Sequence, residues 1–215
     1  MIKSIGILML ASIASLFCAC STEEITTPAM STCGTDYTGH PQHASYMDAL
    51  KEYTAHSSAP GSVIGVKTNG LPEWIGAQGI SNLEYATPME VCTPFRTGSV
   101  TKMFTAVIIM QLYDEHQLDL TTTVAEILPE VKGNIPDAER MTVEQLLNHT
   151  SGLRQPTDDD VSYQLSVINN PDYIGSLDAH ERLEQYIYGK ALKHVPGEDS
   201  YYSNAGYWLL QWIIE

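Results

Sequence analysis

Hydrophobic and polar residues recur with two different periods along the chain, and each period predicts a different element. Between residues 62 and 80, two strand-like runs lie on either side of Asn69-Gly70, a dipeptide typical of the turn in a β-hairpin. Between residues 100 and 118 the apolar positions recur at helical spacing, which predicts one apolar helix face. That face consists of Val100, Phe104, Val107, Ile108 and Leu112.

Shorter helical patterns lie on both sides of these two elements. One covers residues 47–53, and another lies in "TTTVAEILPEV", where Pro129 predicts the end of the helix. A third begins at a capping box formed by Thr142 and Gln145, and it is predicted to end at Gly152.

The last part of the chain predicts two further helices and no further strands. Residues 178–192 fit an amphipathic helix, and a polar patch then precedes a strongly apolar helix that includes residues 208–215. A lone hairpin needs other strands as partners, and the last helix carries no stop signal. We therefore expect the chain to be part of a longer protein, with the strands that complete the sheet missing from it.

The first residues have the pattern of an export signal. Residues 5–17 are an apolar stretch of 13 residues, which is short for a membrane span and typical of a signal peptide. The stretch ends in "CAC", which resembles the lipobox of bacterial lipoproteins, so residues 1–20 are interpreted as a signal peptide with Cys20 as the lipidated residue. The alternative is an ordinary secretory signal with incidental cysteines. Residues 21–44 are rich in Ser, Thr, Pro and Gly and predict a flexible tether in which "HPQH" is solvated.

The charge balance excludes one class of function. Of the 215 residues, 11 are Lys or Arg and 26 are Asp or Glu, so the net charge is −15. Nucleic-acid binding needs a basic stripe to neutralise phosphates, and the sequence has none. No Cys or His group has the spacing of a metal site, no cofactor is expected, and residues 158–160 are interpreted as a solvated acidic loop. Export would permit a disulfide between Cys33 and Cys92, and the sequence leaves that pairing open.

Ser99 and Lys102 are candidate catalytic residues because of their spacing. Residues three apart share one face of a helix, so the hydroxyl and the amine can meet. A serine hydroxyl needs a nearby base to become a nucleophile, and an apolar setting lowers the pKa of a lysine toward that role. The free N–H groups of the helix start can stabilise an oxyanion. The alternative is a helix-capping serine beside an ordinary surface lysine.

A second candidate group lies in "YSN". The Tyr202 phenol can relay a proton, and the Asn204 carboxamide can bind an amide-bearing substrate. The alternative is that Tyr202 packs in the core and Asn204 caps the last helix. In "LLNHTSGL", the residues His149 and Ser151 are interpreted as a structural turn rather than a catalytic pair, since no Gly-x-Ser-x-Gly elbow surrounds either serine.

Three segments in this order, "FRTGSVTKMFTA", "LLNHTSGL" and "YYSNAGYWLL", resemble the serine β-lactamase-related family, which includes class C β-lactamases, serine DD-carboxypeptidases, esterases and D-aminopeptidases. The resemblance runs from about residue 45 to the end. It implies an α+β fold of the β-lactamase/transpeptidase type, with an antiparallel sheet flanked by helices and a helical domain. It also implies an acylated nucleophile at Ser99, its partner at Lys102, a proton relay at Tyr202 and substrate binding by Asn204.

The resemblance implies one motif that the chain does not contain. Family members carry a Lys or His-Thr-Gly stretch on a strand beside the cleft, and it is expected beyond residue 215. The domain at 45–215 is therefore expected to be incomplete at its C-terminus, and this chain by itself to be inactive.

The resulting expectation is an exported serine hydrolase, anchored by lipid to the bacterial cell envelope. It would form an acyl-enzyme with D-alanyl peptides of peptidoglycan, with β-lactams, or with related small amides and esters. The alternative is a binding module of the cell envelope, or an inactive fragment, with the same fold and no turnover.

Overall fold

The computed structural model describes residues 37–170 and 172–215. The chain divides into two compact units between Phe95 and Arg96. The predicted signal peptide at 1–20, with Cys20, and most of the predicted tether lie outside the described residues. Within the described part, each helix is too short or too polar to cross a bilayer.

Within its described residues, 37–95, the first unit contains one helix and a three-stranded antiparallel sheet. Helix α1 (His43–His56) precedes strands β1 (Gly61–Val66), β2 (Trp74–Asn82) and β3 (Thr87–Pro88), which pair in the order β1-β2-β3. The predicted hairpin is confirmed: β1 and β2 pair from Gly61 opposite Gly79 to Val66 opposite Trp74. Leu50 of α1 and Trp74 of β2 are fully buried.

The predicted solvation of "HPQH" is wrong for its two histidines. His40 is buried and its Nε2 lies 3.2 Å from the carbonyl oxygen of Pro72. His43 already belongs to α1, and its Nδ1 accepts a hydrogen bond of 3.1 Å from the Trp74 indole N–H. A buried indole N–H needs an acceptor, which explains why this histidine is held against the sheet. Cys92 is disulfide-bonded, and the other cysteines, Cys33 among them, lie outside the described residues.

The second unit is helical. A 3₁₀ turn at Gly98–Val100 leads into α2 (Thr101–Asp114). The chain then forms α3 (Val124–Ile127), a 3₁₀ turn at Pro129–Val131, α4 (Val143–Leu147), α5 (Pro156–Asp159), α6 (Val161–Asn169), α7 (Tyr173–Ser176), α8 (Ala179–Tyr186) and α9 (Asn204–Ile214). Among the described residues no strand follows β3, and residues Thr123 and Thr142 form an isolated bridge.

One predicted cap is present, and two predicted helix ends are wrong. The capping box of Thr142 and Gln145 is present at the start of α4, yet α4 ends at Leu147, five residues before Gly152. The helix predicted over 178–192 ends at Tyr186. The second prediction overextended the helix because Ile187 and Leu192 continue the apolar pattern and pack on the core from irregular backbone. The first placed the end at Gly152, a typical helix stop, although polar residues 148–151 already leave the helix.

The acidic run at 158–160 is not a solvated loop. Asp159 is the last residue of α5, and its carboxylate accepts hydrogen bonds from Lys193 and from the Gln155 N–H. Asp160 is the N-cap of α6, where its carboxylate accepts from the N–H groups of Ser162 and Tyr163. Helix starts favour negative charge because their first N–H groups lack partners within the helix.

The structure buries a different side of α2 from the apolar face that the sequence predicts. Four of its members are between 41% and 63% exposed, whereas Ile109 is fully buried and Leu112 packs partly against the core. The exposed members are Val100, Phe104, Val107 and Ile108. The helix was therefore predicted correctly and its buried side was not, because α2 joins the core of its unit through the side that carries Ile109 and faces α9.

Candidate active site

Ser99 lies where the 3₁₀ turn passes into α2. The N-cap of α2 is Val100, and no side chain caps the helix, so the capping role considered for Ser99 is wrong. The Ser99 hydroxyl instead lies 2.7 Å from the Tyr202 hydroxyl and accepts a hydrogen bond of 3.2 Å from the Lys102 ammonium. The side chain is exposed, so the nucleophile predicted from the sequence is open to a substrate.

Lys102 is half-buried and joins the two groups of candidate residues. Its Nζ donates to Ser99 Oγ and, at 2.5 Å, to the Asn204 Oδ1. The same Nζ lies 4.8 Å from the ring centre of Tyr202 and 5.4 Å from that of Tyr207. None of the ion pairs in the described part of the chain involves Lys102. Neutral oxygen atoms and aromatic faces therefore hold this amine, so it is not an ordinary surface lysine.

The segment Tyr202-Ser203-Asn204 reaches Ser99 from the start of α9. Ser203 is the N-cap, since its Oγ accepts a hydrogen bond from the Ala205 N–H at 3.1 Å. The capping role considered for Asn204 therefore belongs to Ser203. Because an ammonium only donates hydrogen bonds, the Asn204 amide presents its oxygen to Lys102 and keeps its NH₂ for another acceptor.

The environment of Tyr202 favours the loss of its proton. Partial burial raises the pKa of the phenol, but the Lys102 ammonium and the hydrogen bond with Ser99 outweigh burial and leave that pKa lowered. The Tyr202 side chain is 45% exposed, so substrate and solvent can reach its hydroxyl. A lowered pKa favours the phenolate, and a phenolate beside a serine hydroxyl can accept the proton that the serine loses on attack.

His149 supports this site without touching Ser99. Its ring centre lies 4.4 Å from that of Tyr202 and 5.4 Å from that of Tyr207. Its Nδ1 accepts the Ser203 N–H at 3.2 Å, which requires an unprotonated nitrogen. Burial, and secondly the charge of Lys102, lowers the pKa of His149 and favours that neutral form. Ser151 is buried, with its hydroxyl 3.4 Å from the Leu153 N–H, so the pair His149 and Ser151 is structural, as interpreted from the sequence.

Two further contacts were not found from the sequence. The Gln155 Oε1 accepts the Asn204 N–H at 2.8 Å, and the Ser203 hydroxyl donates to the Arg154 carbonyl oxygen at 2.6 Å. Both contacts join residues 49 positions apart. No local spacing signals such a pair, so only the folded chain reveals it.

An open cavity of about 540 Å³ lies beside Lys102 and Asn204. Its other walls come from α2, α8 and α9, with the side chains of Thr105, Arg182 and Trp208. The space is large enough for a small ligand next to the amine and the amide. Among the described residues, no group of three or more His, Cys, Asp or Glu side chains has the arrangement of a metal site.

Comparisons with known proteins point to one family. The family model described as Beta-lactamase matches residues 47–215. Protein flp of Staphylococcus aureus (strain MRSA252) is 32% identical over 160 residues, which are 73% of this chain and 30% of that protein.

Among solved structures, a D-stereospecific amidohydrolase from Streptomyces sp. aligns with a TM-score of 0.66 and 31% identity, over 81% of this chain and 49% of that one. A penicillin binding protein from Bacillus halodurans aligns with a TM-score of 0.60 and 25% identity, over 79% and 49%. The chain thus spans less than a third of the curated relative and about half of each of these solved chains.

Proposed function

The chain belongs to the beta-lactamase family, a family of serine hydrolases with an antiparallel sheet and helices, and from this membership we propose that it acts by forming an acyl-enzyme on Ser99. The observation that carries the proposal is the position of one hydroxyl between two groups that can take its proton. Ser99 Oγ lies 2.7 Å from the Tyr202 hydroxyl and 3.2 Å from Lys102 Nζ. Nucleophile and base within hydrogen-bond reach are the signature of covalent catalysis.

The acylation step follows from these distances. Ser99 Oγ attacks the carbonyl carbon of an amide or ester, and its proton moves to the Tyr202 phenolate or to the unprotonated Lys102 amine. The negative charge that develops on the carbonyl oxygen is stabilised by N–H groups at the start of α2, among which that of Ser99 is a candidate. The tetrahedral intermediate then collapses, the bond to the leaving group breaks, and the captured proton passes to the leaving nitrogen or oxygen. Water later hydrolyses the ester on Ser99 and releases the acid.

Asn204 supports an amide-bearing substrate. Its oxygen faces Lys102, so its NH₂ is available to donate to a substrate carbonyl oxygen. The structural relatives include a D-stereospecific amidohydrolase and a penicillin binding protein. We therefore propose D-alanyl peptides, β-lactams, or related amides and esters as the substrate class.

A labelling experiment tests this proposal. The complete protein, as the cell expresses it, is incubated with a fluorescent penicillin, and the labelled peptide is mapped by mass spectrometry. We expect a single adduct on Ser99 and no label in Ser99→Ala. Ser200→Ala is the matched control, because Ser200 is an exposed serine two residues from Tyr202, and it should label like the wild type. An unlabelled wild type, or equal labelling of Ser99→Ala, would refute the proposal.

We also propose that the protein is exported and anchored by a lipid on Cys20 in the bacterial cell envelope. The support is the apolar stretch at 5–17 followed by a small residue and a cysteine. Cells grown with radiolabelled palmitate should label the wild type and not Cys20→Ser. Equal labelling of the two proteins, or none of either, would contradict lipidation at this residue.

A further inference from the structure

Asp159 is a carboxylate outside the candidate active site that gathers several partners. Its side chain is only 12% exposed. It accepts hydrogen bonds from Lys193 Nζ at 2.6 Å, from the Gln155 N–H at 3.0 Å and from the Tyr201 hydroxyl at 3.2 Å, and Arg154 Nε lies 3.9 Å away. Burial raises its pKa, but the hydrogen bonds from Lys193 and Gln155 outweigh burial and leave the pKa lowered, so this carboxylate is ionised at neutral pH.

The partners of Asp159 hold the segment that contains Tyr202 from both sides. Tyr201, which donates to Asp159, directly precedes Tyr202. On the other side, the Arg154 carbonyl oxygen accepts the Ser203 hydroxyl at 2.6 Å. Next to it, the Gln155 Oε1 accepts the Asn204 N–H at 2.8 Å. The Tyr202 ring also packs on His149, so this contact and the backbone around Tyr202 together fix where its hydroxyl lies.

We propose that Asp159 is a positioning residue for the acylation reaction: it fixes the loop at 154–155 and the Tyr201 side chain, and thereby holds Tyr202 and Asn204 against Ser99 and Lys102. The inference rests on the proposed function and adds a residue to it. Asp159 touches none of the reacting atoms. Its effect on the rate comes from the distance between the Tyr202 and Ser99 hydroxyls, and displacements of about 1 Å in an active site slow reactions by about 100-fold.

The neighbouring carboxylate offers a matched control. Asp160 is also mostly buried, with 15% of its side chain exposed, and it also has a lysine partner, Lys190 at 3.8 Å. Its hydrogen bonds go to the start of α6, through the N–H groups of Ser162 and Tyr163, and to the Ser162 hydroxyl. None of its contacts in the described structure reaches residues 201–204. Loss of Asp160 therefore weakens a helix cap and leaves the catalytic segment in place.

The test compares Asp159→Asn with Asp160→Asn in the complete protein. Acylation by fluorescent penicillin is followed in time, which separates the rate constant from the fraction that finally labels, and thermal unfolding is measured beside it. We expect Asp159→Asn to acylate at least about tenfold more slowly, with the labelled fraction of the folded protein unchanged. Asp160→Asn should lower the unfolding temperature and keep the wild-type rate constant.

A pH profile separates positioning from loss of stability. The titratable groups that face Tyr202 are Lys102, His149 and Tyr207, and none of them is altered. If Asp159→Asn lets the phenol move away from Lys102 and Ser99, burial alone acts on Tyr202 and its pKa rises. The pH at which acylation reaches half of its maximal rate should then rise in Asp159→Asn and stay at the wild-type value in Asp160→Asn. A role in stability alone would not move this profile.

The outcomes separate the two proposals. A wild type that never labels refutes the acyl-enzyme and the inference with it. A labelled wild type, with equal rate constants and pH profiles in Asp159→Asn and Asp160→Asn, overturns the inference alone. If Asp159→Asn does not fold, Lys193→Met and Lys193→Arg test the inference instead. Lys193 is more exposed than Asp159 and makes the shortest contact to it. Slower acylation in Lys193→Met that is restored in Lys193→Arg supports the inference. Wild-type acylation rates in both variants overturn it.

Discussion

The most informative single change is Tyr202→Phe, which removes one oxygen atom and leaves the ring. The lost hydroxyl lies 2.7 Å from Ser99 Oγ. The remaining ring keeps its contact with His149, at 4.4 Å between ring centres, and its place 4.8 Å from the Lys102 amine. The change therefore removes the proposed proton acceptor with little effect on packing.

The expected effects on rate and on stability differ greatly in size. A hydrogen bond between two exposed hydroxyls contributes at most about 1 kcal/mol to the free energy of unfolding. Loss of a general base slows a reaction by about 10²- to 10⁴-fold, which is about 3–5.5 kcal/mol of the activation free energy. Because Lys102 remains 3.2 Å from Ser99 and can replace part of this function, we expect the lower end, about 100-fold.

The measurement is the acylation rate with fluorescent penicillin, with thermal unfolding beside it. Tyr207→Phe is the matched control: its hydroxyl donates to the Leu147 carbonyl oxygen at 3.0 Å, its ring also lies beside His149 and Lys102, and it makes no contact with Ser99 in the described structure. This control should acylate within about twofold of the wild type and lose about 1 kcal/mol of unfolding free energy. Equal rates in the two variants would refute the role of Tyr202 as the proton acceptor.

Three further predictions concern stability. Gly152→Ala should destabilise the fold at least about twice as much as Gly133→Ala, measured by thermal unfolding. Both glycines have positive φ, which costs about 1–2 kcal/mol for alanine, but only at Gly152 would the new Cβ clash with the His194 carbonyl oxygen. Equal losses of stability in the two variants would refute the clash. Thr142→Ala should cost about 1 kcal/mol of unfolding free energy, since it deletes the hydroxyl that caps α4, and an unchanged denaturant midpoint would contradict this. The lowered pKa of His149 contributes stability that is present above the ordinary histidine pKa and is lost as pH falls from there through the lowered value. Thermal unfolding between about pH 8 and pH 5 should therefore show a smaller decrease for His149→Asn, which tolerates the positive φ of this position, than for the wild type, and parallel curves would refute the assignment.

Elements specified by neighbouring residues were predictable from the sequence. The hairpin around Asn69-Gly70 and the capping box at Thr142 are both present, because turn and cap hydrogen bonds join residues only a few positions apart. The three short helices α5, α6 and α7 were not predicted. The run 158–160 was interpreted as a solvated loop, but Asp159 ends α5 and Asp160 caps α6. The partners of Asp159 lie as far as 42 positions away along the chain.

The candidate site also combines residues that local spacing identifies with residues that only the fold brings together. Ser99 and Lys102 were identified by their spacing, and their contact joins residues three apart where the 3₁₀ turn passes into α2. Tyr202 lies 103 positions from Ser99, and family resemblance named it without giving its position in space. His149, Gln155 and Asp159 were missed as supporting residues, since each acts through a hydrogen bond to a distant segment.

The sequence by itself determined the hairpin, the capping box of α4 and the family, and it named the candidate site residues. The tertiary structure alone decided which side of α2 is buried, at Ile109 rather than Phe104, and which residue caps α9, Ser203 rather than Asn204. Periodicity shows that a helix has an apolar side, but burial depends on which other elements pack against it. In the same way, the proposed role of Ser99 needs a base within hydrogen-bond distance, and only the folded chain places the Tyr202 hydroxyl, at the start of α9, 2.7 Å from that of Ser99.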